Sequence, residues 1–212
     1  MTRNLTLLLL IVTAFSGCVN GIADVPASEE VGYLSIEVAC QHGDATKASD
    51  VNIEDFDIVI SGPSELSCRC ADLPAVVGLE PGTYTVTVTS PETEPAAFNQ
   101  PIYGSEVSLD IEAGVTSSTK LLCTMTNMKV TIDPSESFLS QVKSYTVTVS
   151  NGYGELVWNH SDIEERLAGF FTVAPLTVSL EGVSIDDTEL HYDGLISDVE
   201  SSDHHIITFD SL

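Results

Sequence analysis

Cysteines are the residues of this chain with the most definite chemistry, because they can pair, bind metal or carry a lipid. Four of them, Cys40, Cys68, Cys70 and Cys123, lie in the body of the sequence and allow three pairings. Cys40 and Cys123 lie beside apolar residues in predicted strands, so they are candidates for a disulfide, with two buried thiols as the alternative. Cys68 and Cys70 are too close to bridge each other without strain. The paired spacing of zinc ligands is missing, so we expect no metal site.

Other polar residues form no recognisable catalytic set. The five histidines fit neither a zinc-protease motif nor a catalytic triad, and no phosphate-binding loop occurs. Asp50, Asn52 and Glu54 imitate the start of a calcium loop, but Asp55 stands where such a loop needs glycine. A cluster of acidic residues and histidines near the C-terminus could bind a cation, although a charged hairpin explains the cluster more simply. Its members are Asp198, Glu200, Asp203, His204 and His205. We therefore expect no enzymatic activity and no cofactor.

Two aromatic residues are candidates for contact with a ligand. Tyr153 and Trp158 are close in sequence and could stack on a sugar ring, although aromatic residues beside a hairpin more often pack into a core or an edge. Both readings stay open from the sequence alone.

The N-terminus has the pattern of a bacterial lipoprotein signal. Arg3 supplies a positive charge, an apolar stretch runs from Leu7 to Phe15, and two small residues precede Cys18. The stretch is too short to span a hydrocarbon layer of roughly 30 Å. We expect residues 1–17 to be cleaved and Cys18 to carry the lipid, with an ordinary secretory signal as the alternative. Residues 18–31 then form a tether to the membrane.

The charge of the chain excludes one class of partner. There are 32 acidic and 7 basic residues, for a net charge of −25. Such a surface repels phosphate backbones and anionic headgroups, so no nucleic acid partner is expected. At 43% hydrophobic residues, the chain can still build packed cores.

Alternating apolar and polar residues predict strands along the first half of the chain. Tyr84, Val86 and Val88 share one face of a strand whose other face carries threonines. The same alternation defines further strands, which contain Leu34 to Cys40, Phe56 to Ile60, Val107 to Ile111 and Thr119 to Met125.

A similar order of strands recurs in the second half, at an offset of roughly 85 to 95 residues, which is the size of a domain. The corresponding segments are Met128 to Ile132, Tyr145 to Val149, Leu176 to Leu180 and His204 to Asp210. Hairpin turns are expected at Pro81-Gly82, Glu112 to Gly114, Asn151-Gly152 and Asp193-Gly194. A short helix is expected only at 161–169. The pattern predicts an all-β chain of two tandem antiparallel Greek-key β-sandwiches, over residues 32–126 and 127–212.

Several segments resemble the lipoprotein family known as domain of unknown function 4493, a relative of the fimbrillins found in Bacteroidales. The resemblance covers nearly everything from Gly32 onward. It rests on the order and spacing of these motifs: Gly32-Tyr33-Leu34, Leu79 to Tyr84, Pro95 to Phe98 with Pro101 and Tyr103-Gly104, Ile111 to Gly114, Asn127 to Val130, Ala168 to Phe171 and His205 to Asp210. It implies paired transthyretin-like sandwiches.

The resemblance also implies a route of assembly. Fimbrillin-type subunits are exported as lipoproteins and cut after a basic residue that follows the first strand, and a strand of another subunit then fills the vacated groove. Lys47 is the matching basic residue here, although lysine replaces the arginine that such families often show. A solvated loop lysine is the alternative. The sequence printed here ends soon after its last strand, which favours a terminal, anchoring or accessory subunit, or a lipoprotein that never polymerises.

These features lead to one principal expectation about function. The chain is expected to be a structural or adhesive lipoprotein at the outer membrane and cell surface, with pilin-like subunits or a host or microbial surface ligand as partners. The alternative is a surface lipoprotein that binds a glycan or another ligand and does not polymerise.

Overall fold

The computed structural model describes residues 30–41, 51–161 and 167–210, and β-strands dominate them. The first half contains these strands: β1 (Gly32–Cys40), β2 (Asp57–Ser61), β3 (Leu66–Arg69), β4 (Val77–Leu79), β5 (Gly82–Thr89), β6 (Ala96–Phe98), β7 (Tyr103–Ile111) and β8 (Thr116–Met125). The second half contains β9 (Met128–Ile132), α1 (Glu136–Leu139), β10 (Val142–Ser150), β11 (Glu155–Asn159), β12 (Gly169–Phe171), β13 (Leu176–Ser184), β14 (Glu189–Ile196) and β15 (His204–Ile207). The predicted all-β fold class is confirmed.

The strands of the first half form two layers that meet along one edge. One layer has the order β3-β2-β5-β7 and the other has the order β8-β1-β4. The layers join where Tyr103 and Gly104 of β7 pair with Met125 and Thr124 of β8. Within the second layer, β1 runs parallel to β8 and antiparallel to β4.

The second half repeats this arrangement. Its layers have the orders β11-β10-β13-β14 and β15-β9-β12-β6, and β9 runs parallel to β15 just as β1 runs parallel to β8. Each strand of one half therefore has a counterpart in the other, except β6. This strand comes from between β5 and β7, yet it pairs with β12 at the edge of the second half's sheet.

Each half has its own hydrophobic cluster. One contains Leu34, Ile58, Tyr84, Val86 and Leu121 among others, and the other contains residues such as those of β9, β10 and β13. Alternation explains why the residues predicted to face inward do so: in β5 the buried positions are every second residue, and the threonines between them are less buried. The boundary between residues 126 and 127 stays a prediction.

Two of the predicted turns contain glycine in the left-handed region, where a side chain would be strained. Gly114 has φ 72° and Gly152 has φ 80°. The turn predicted at Asp193-Gly194 is wrong, because both residues lie inside β14 and pair with Ser179 and Val178 of β13. The helix predicted at 161–169 falls largely on residues outside the described part of the chain, and its last residue, Gly169, begins β12.

Among the described residues, no helix is long and apolar enough to cross a membrane.

Candidate functional site

The candidate functional site is the space that β1 occupies between β8 and β4, which we call the β1 seat. Eight residue pairs, from Tyr33–Thr116 to Cys40–Cys123, join β1 to β8. On its other side, β1 pairs with β4 through three further residue pairs. The seat therefore offers backbone partners along both of its walls, so an occupant can be held by two ladders of hydrogen bonds.

The floor of the β1 seat is the hydrophobic cluster of the first half. Leu34 is fully buried in this cluster, while Ile36 and Val38 are partly buried against it. Burial of each such side chain contributes about 1.5–3 kcal/mol when complete, so Leu34 is the strongest apolar anchor of β1. The strand is thus held by packing as well as by its hydrogen bonds.

Gly32, at the start of β1, permits the closest approach of this strand to its surroundings. A Cβ atom at Gly32 would lie 2.3 Å from the Cγ2 atom of Ile111 and 2.5 Å from the carbonyl oxygen of Glu112. Both distances are far below van der Waals contact, and one of the atoms belongs to the backbone. Any strand that occupies the seat in the same register needs glycine at this position.

The cysteines cluster at the far end of the β1 seat. Cys40 and Cys123 are directly opposite each other on β1 and β8, and the amide of Gln41 donates to the carbonyl oxygen of Cys123 at 2.9 Å. Cys68 and Cys70 pack against the same hydrophobic cluster. Adjacent strands lie about 4.8 Å apart, which is within the range of Cα separations that a disulfide spans. The structure holds Cys40 and Cys123 as thiols, and their disulfide stays a prediction.

Burial makes the Cys123 thiol a weaker acid than an exposed cysteine. Its pKa is raised from 9.0 to about 11, first by desolvation and then by the neighbouring Cys40 and Cys70. The pKa of Cys40 is also raised by burial, and that of Cys70 by burial, Cys68 and Asp57. Because the thiolate is the reactive form, these thiols are expected to react more slowly at neutral pH in the folded chain than exposed cysteines do.

Alkylation with iodoacetamide tests this environment. At pH 8, native Cys123 is expected to react about 100-fold more slowly than an unperturbed thiol, since two pKa units reduce the thiolate fraction by about that factor. The rate is expected to rise with pH up to about 11. Because the folded pKa is the higher one, stability linked to Cys123 is complete below about pH 9 and is lost as the pH rises towards about 11.

Peptide mapping after alkylation identifies the modified residue, and a Cys123→Ser variant is the control. Native alkylation of Cys123 as fast as in urea would contradict its burial. Resistance in urea that disappears after reduction would instead support the predicted disulfide with Cys40.

The two aromatic candidates lie in different environments. Trp158 is only 3% exposed, its indole N–H donates to the carbonyl oxygen of Leu167 at 3.0 Å, and its ring meets Phe98 edge to face at 5.0 Å. It has no face open to a ligand. Tyr153 is 73% exposed, in the turn between β10 and β11. Of this pair, Tyr153 alone could stack on a sugar.

The cation candidates have structural roles where they are described. Asp203 accepts from the amide of Glu200 at 2.7 Å, and His204 is 3.0 Å from the Thr131 hydroxyl. Burial, Lys129 and His205 lower the pKa of His204. Asn52 accepts from the amide of Glu54 and caps a short 3-10 turn. Within the described ranges, no group of three or more histidine, cysteine or acidic residues could hold a metal ion.

Cys18 and Lys47, the residues predicted for lipidation and processing, lie outside the described residues, as does Asp50. Lys47 belongs to the segment that joins β1 to the next described residues. Lipidation of Cys18 and processing at Lys47 therefore stay predictions.

Sequence reasoning did not single out two buried amides that hold loops between strands. Asn127 accepts from the amide of Ile102 at 3.0 Å and donates to the carbonyl oxygen of Gln100 at 3.2 Å. Asn151 accepts from two amides of its turn and donates to Thr172. The Asn-Gly turn signal indicated Asn151 as a turn residue, but no local pattern reveals a partner more than twenty residues away.

The fold and the β1 seat define a protein of two all-β units, each built from two packed layers. Residues 30–212 match the family described as Domain of unknown function (DUF4493), and the chain belongs to that family. The resemblance inferred from the motifs is thus confirmed. No curated protein matches the chain.

Solved structures with similar folds come from several bacteria. A proposed adhesin from Bacteroides ovatus is 10% identical, with a TM-score of 0.44, and the alignment covers 94% of this chain and 99% of that one. A proposed cell adhesion protein from Bacteroides eggerthii is 9% identical, with a TM-score of 0.48 and coverage of 89% and 88%. The fimbrial anchor protein Mfa2 from Porphyromonas gingivalis is 10% identical, with a TM-score of 0.45 and coverage of 84% and 90%.

Proposed function

We propose that this protein is a fimbrillin-like lipoprotein of the outer membrane, exposed at the cell surface and anchored through an acylated Cys18. In this proposal it is a structural or adhesive subunit that works by contact and not by turnover. Cleavage after Lys47 releases β1, and an extended segment of a pilin-like subunit takes the vacated place.

The observation that carries the proposal is the position of β1. It is the first described strand, it lies inside a sheet and not at an edge, and the segment that contains Lys47 follows it directly. A cut in that segment separates β1 covalently from everything that holds it. The seat left behind would have two unpaired strand edges and an apolar floor, which are the features that bind an added strand.

The energies favour replacement of β1 by another strand over removal of β1 without replacement. Full burial of Leu34 contributes about 1.5–3 kcal/mol, and the partly buried Ile36 and Val38 contribute smaller amounts. A small domain has a total stability of about 5–15 kcal/mol. A cleaved subunit without β1 would therefore have lost a large share of its stability, and a new strand would restore it.

Mass spectrometry of the mature N-terminus from intact cells tests the proposal. The expected result is two forms, one beginning at the acylated Cys18 and one beginning after Lys47, with a ladder of SDS-resistant oligomers on unboiled gels. Lys47→Ala is expected to remove the shorter form and the ladder, whereas Lys143→Ala, which changes an exposed lysine on β10, leaves both. A chain found only in the Cys18 form and only as a monomer would refute polymerisation, and a chain without lipid would refute the anchor.

Recognition of a glycan is a second candidate function, supported by the exposed ring of Tyr153. Tyr153→Ala is expected to abolish binding on a glycan array if this turn is the contact. Unchanged binding by the variant would exclude Tyr153 as the contact residue.

A further inference from the structure

A groove of about 550 Å³ opens between β14 and β15 in the second half of the chain. Its floor includes Val178 and Leu180 of β13 together with Phe138. At its mouth, three large apolar side chains are exposed to solvent: Tyr192 by 55%, Leu195 by 68% and Ile206 by 56%. Exposed apolar side chains that line one groove are typical of a binding site.

The corresponding edge of the first half is closed. There, β7 and β8, the counterparts of β14 and β15, pair with each other through two residues at one end. Among the described residues, β14 pairs with β13 and β15 pairs with β9, but no pairs join β14 to β15. Each of these two strands therefore has one edge whose backbone N–H and C=O groups face the groove or the solvent.

The opposite edge of the same sheet shows what fills such a position in this molecule. There, β6 adds itself antiparallel to β12 through three residue pairs. Its Phe98 packs against the hydrophobic cluster and meets the buried ring of Trp158. A short extended segment with one inward aromatic residue thus completes this edge. The outer edge of β15 also presents unpaired backbone groups beside the hydrophobic cluster. Among the described residues, no segment pairs with that edge.

We propose that the groove between β14 and β15 binds an extended peptide segment of a partner protein, with apolar side chains at alternate positions facing inward and lysine or arginine facing outward. A strand meets both needs of the groove, since it pairs with an open edge and inserts apolar side chains. A small apolar ligand would fill the groove but would offer no hydrogen-bond partners to the backbone groups of either edge.

Charge selects a basic partner over a second copy of this chain. Asp210 is exposed and lines the groove, and β14 carries two further exposed carboxylates, Glu189 and Asp193, the second of which is 2.8 Å from the Nε2 atom of His191. The chain itself has a net charge of −25, so another copy would bring further negative charge. Screening acts over about 10 Å at 0.1 M salt, which leaves these nearby carboxylates effective towards lysine or arginine on a docked segment.

The proposed binding needs neither cleavage after Lys47 nor release of β1. It can therefore be measured on the uncut chain, and its failure would leave the proposed function untouched. In the same way, a chain that is never cut could still bind a strand at this groove.

The experiment titrates the full mature chain with a synthetic peptide of alternating valine and lysine, about as long as β14, with a photoreactive group for cross-linking. The first control peptide has the same composition without alternation, and the second has glutamate in place of lysine. Fluorescence anisotropy measures binding, and mass spectrometry locates the cross-link. Tyr192→Ala and Ile206→Lys alter the mouth of the groove, and Val76→Lys is the change matched to Ile206→Lys at an exposed valine of the first half (48% exposed).

The expected result is saturable binding of the alternating basic peptide, weakened by salt, with cross-links to 189–196 or 204–210. Tyr192→Ala and Ile206→Lys should each weaken binding by about tenfold or more, and Val76→Lys should leave it unchanged. Far-UV circular dichroism checks that each variant is folded, and two variants keep the test decisive if one is not.

Other outcomes overturn the proposal. Equal binding of the peptide without alternation, tighter binding of the acidic peptide, or cross-links elsewhere would each do so. Dimerisation of the chain without peptide, if Tyr192→Ala abolishes it, would identify a second copy as the occupant and refute the basic partner.

Discussion

Leu34→Ala is expected to lower the free energy of unfolding of the first half by about 2–5 kcal/mol. Leu34 is fully buried and anchors β1 in the cluster that both layers of the first half share. Truncation removes its transfer free energy and leaves a cavity that surrounding strands only partly fill. Urea unfolding followed by circular dichroism measures the change. Hydrogen exchange is expected to quicken in β1 and β8, the strands paired along this ladder.

The matched control is Leu122→Ala. Leu122 lies on β8 opposite Ala39, on the other face of the same ladder, and is 49% exposed. We expect this change to cost less than about 1 kcal/mol, because most of the side chain is already in water. Equal effects of the two substitutions would contradict the burial of β1 and, with it, the energetic basis of the β1 seat. Trp158, the single tryptophan, lies in the hydrophobic cluster of the second half, so its fluorescence follows the unfolding of that half separately.

Asn151→Asp is expected to lower the free energy of unfolding of the second half by about 2–4 kcal/mol at pH 7. The Asn151 amide nitrogen donates to the carbonyl oxygen of Thr172 at 2.9 Å, and its oxygen accepts from the amides of Tyr153 and Gly154 at 3.0 and 2.8 Å. Asn151 is only 5% exposed. Aspartate keeps the acceptor but turns a negative charge towards the Thr172 carbonyl oxygen. Unfolding in urea, followed through Trp158 fluorescence, measures the loss.

The direction of the pH dependence distinguishes this mechanism from general damage. A protonated carboxyl group can donate to Thr172, so the loss is expected to shrink as the pH falls and to grow as the pH rises. Asn151→Ala removes donor and acceptor together and should show no such pH dependence. Gln100→Ala is the control for an exposed amide. An Asn151→Asp loss that is independent of pH would contradict the proposed hydrogen bond to Thr172.

Strands with inward positions at every second residue were predictable from the sequence. The alternation of Tyr84, Val86 and Val88 with threonine in β5 is local, and so is the glycine that lets a hairpin turn at Gly114 or Gly152. Short strands such as β4, β6 and β12 were not predicted, because three residues are too few to establish a period. The Asp193-Gly194 turn was mispredicted because the dipeptide signal ignores the pairing with β13 that keeps this segment extended.

The candidate site was partly predictable for the same reason. The apolar face of β1 with Leu34, Ile36 and Val38 is visible in the alternation of the chain. Its place between β8 and β4 cannot be recognised in the sequence, because each paired residue of those strands is more than forty positions away from its partner in β1, and β8 runs parallel to β1. For Trp158 the sequence left a ligand contact and core packing open, and the structure decides for packing, against Phe98 of the distant β6.

By itself, the sequence determined that the chain is all-β, that its second half repeats the strand pattern of its first, and that its motifs belong to one family. The spacing of apolar residues in a strand and the residue types of a turn depend on near neighbours in the sequence, so both can be recognised without the structure. The tertiary structure alone decided that β1 lies inside a sheet, that β6 completes a sheet of the other half, and that no described strand pairs with the second edge of β14 or of β15. Those outcomes depend on which strands pair although they are distant in sequence. Because backbone hydrogen bonds are nearly the same for every side chain, no local pattern predicts the pairing.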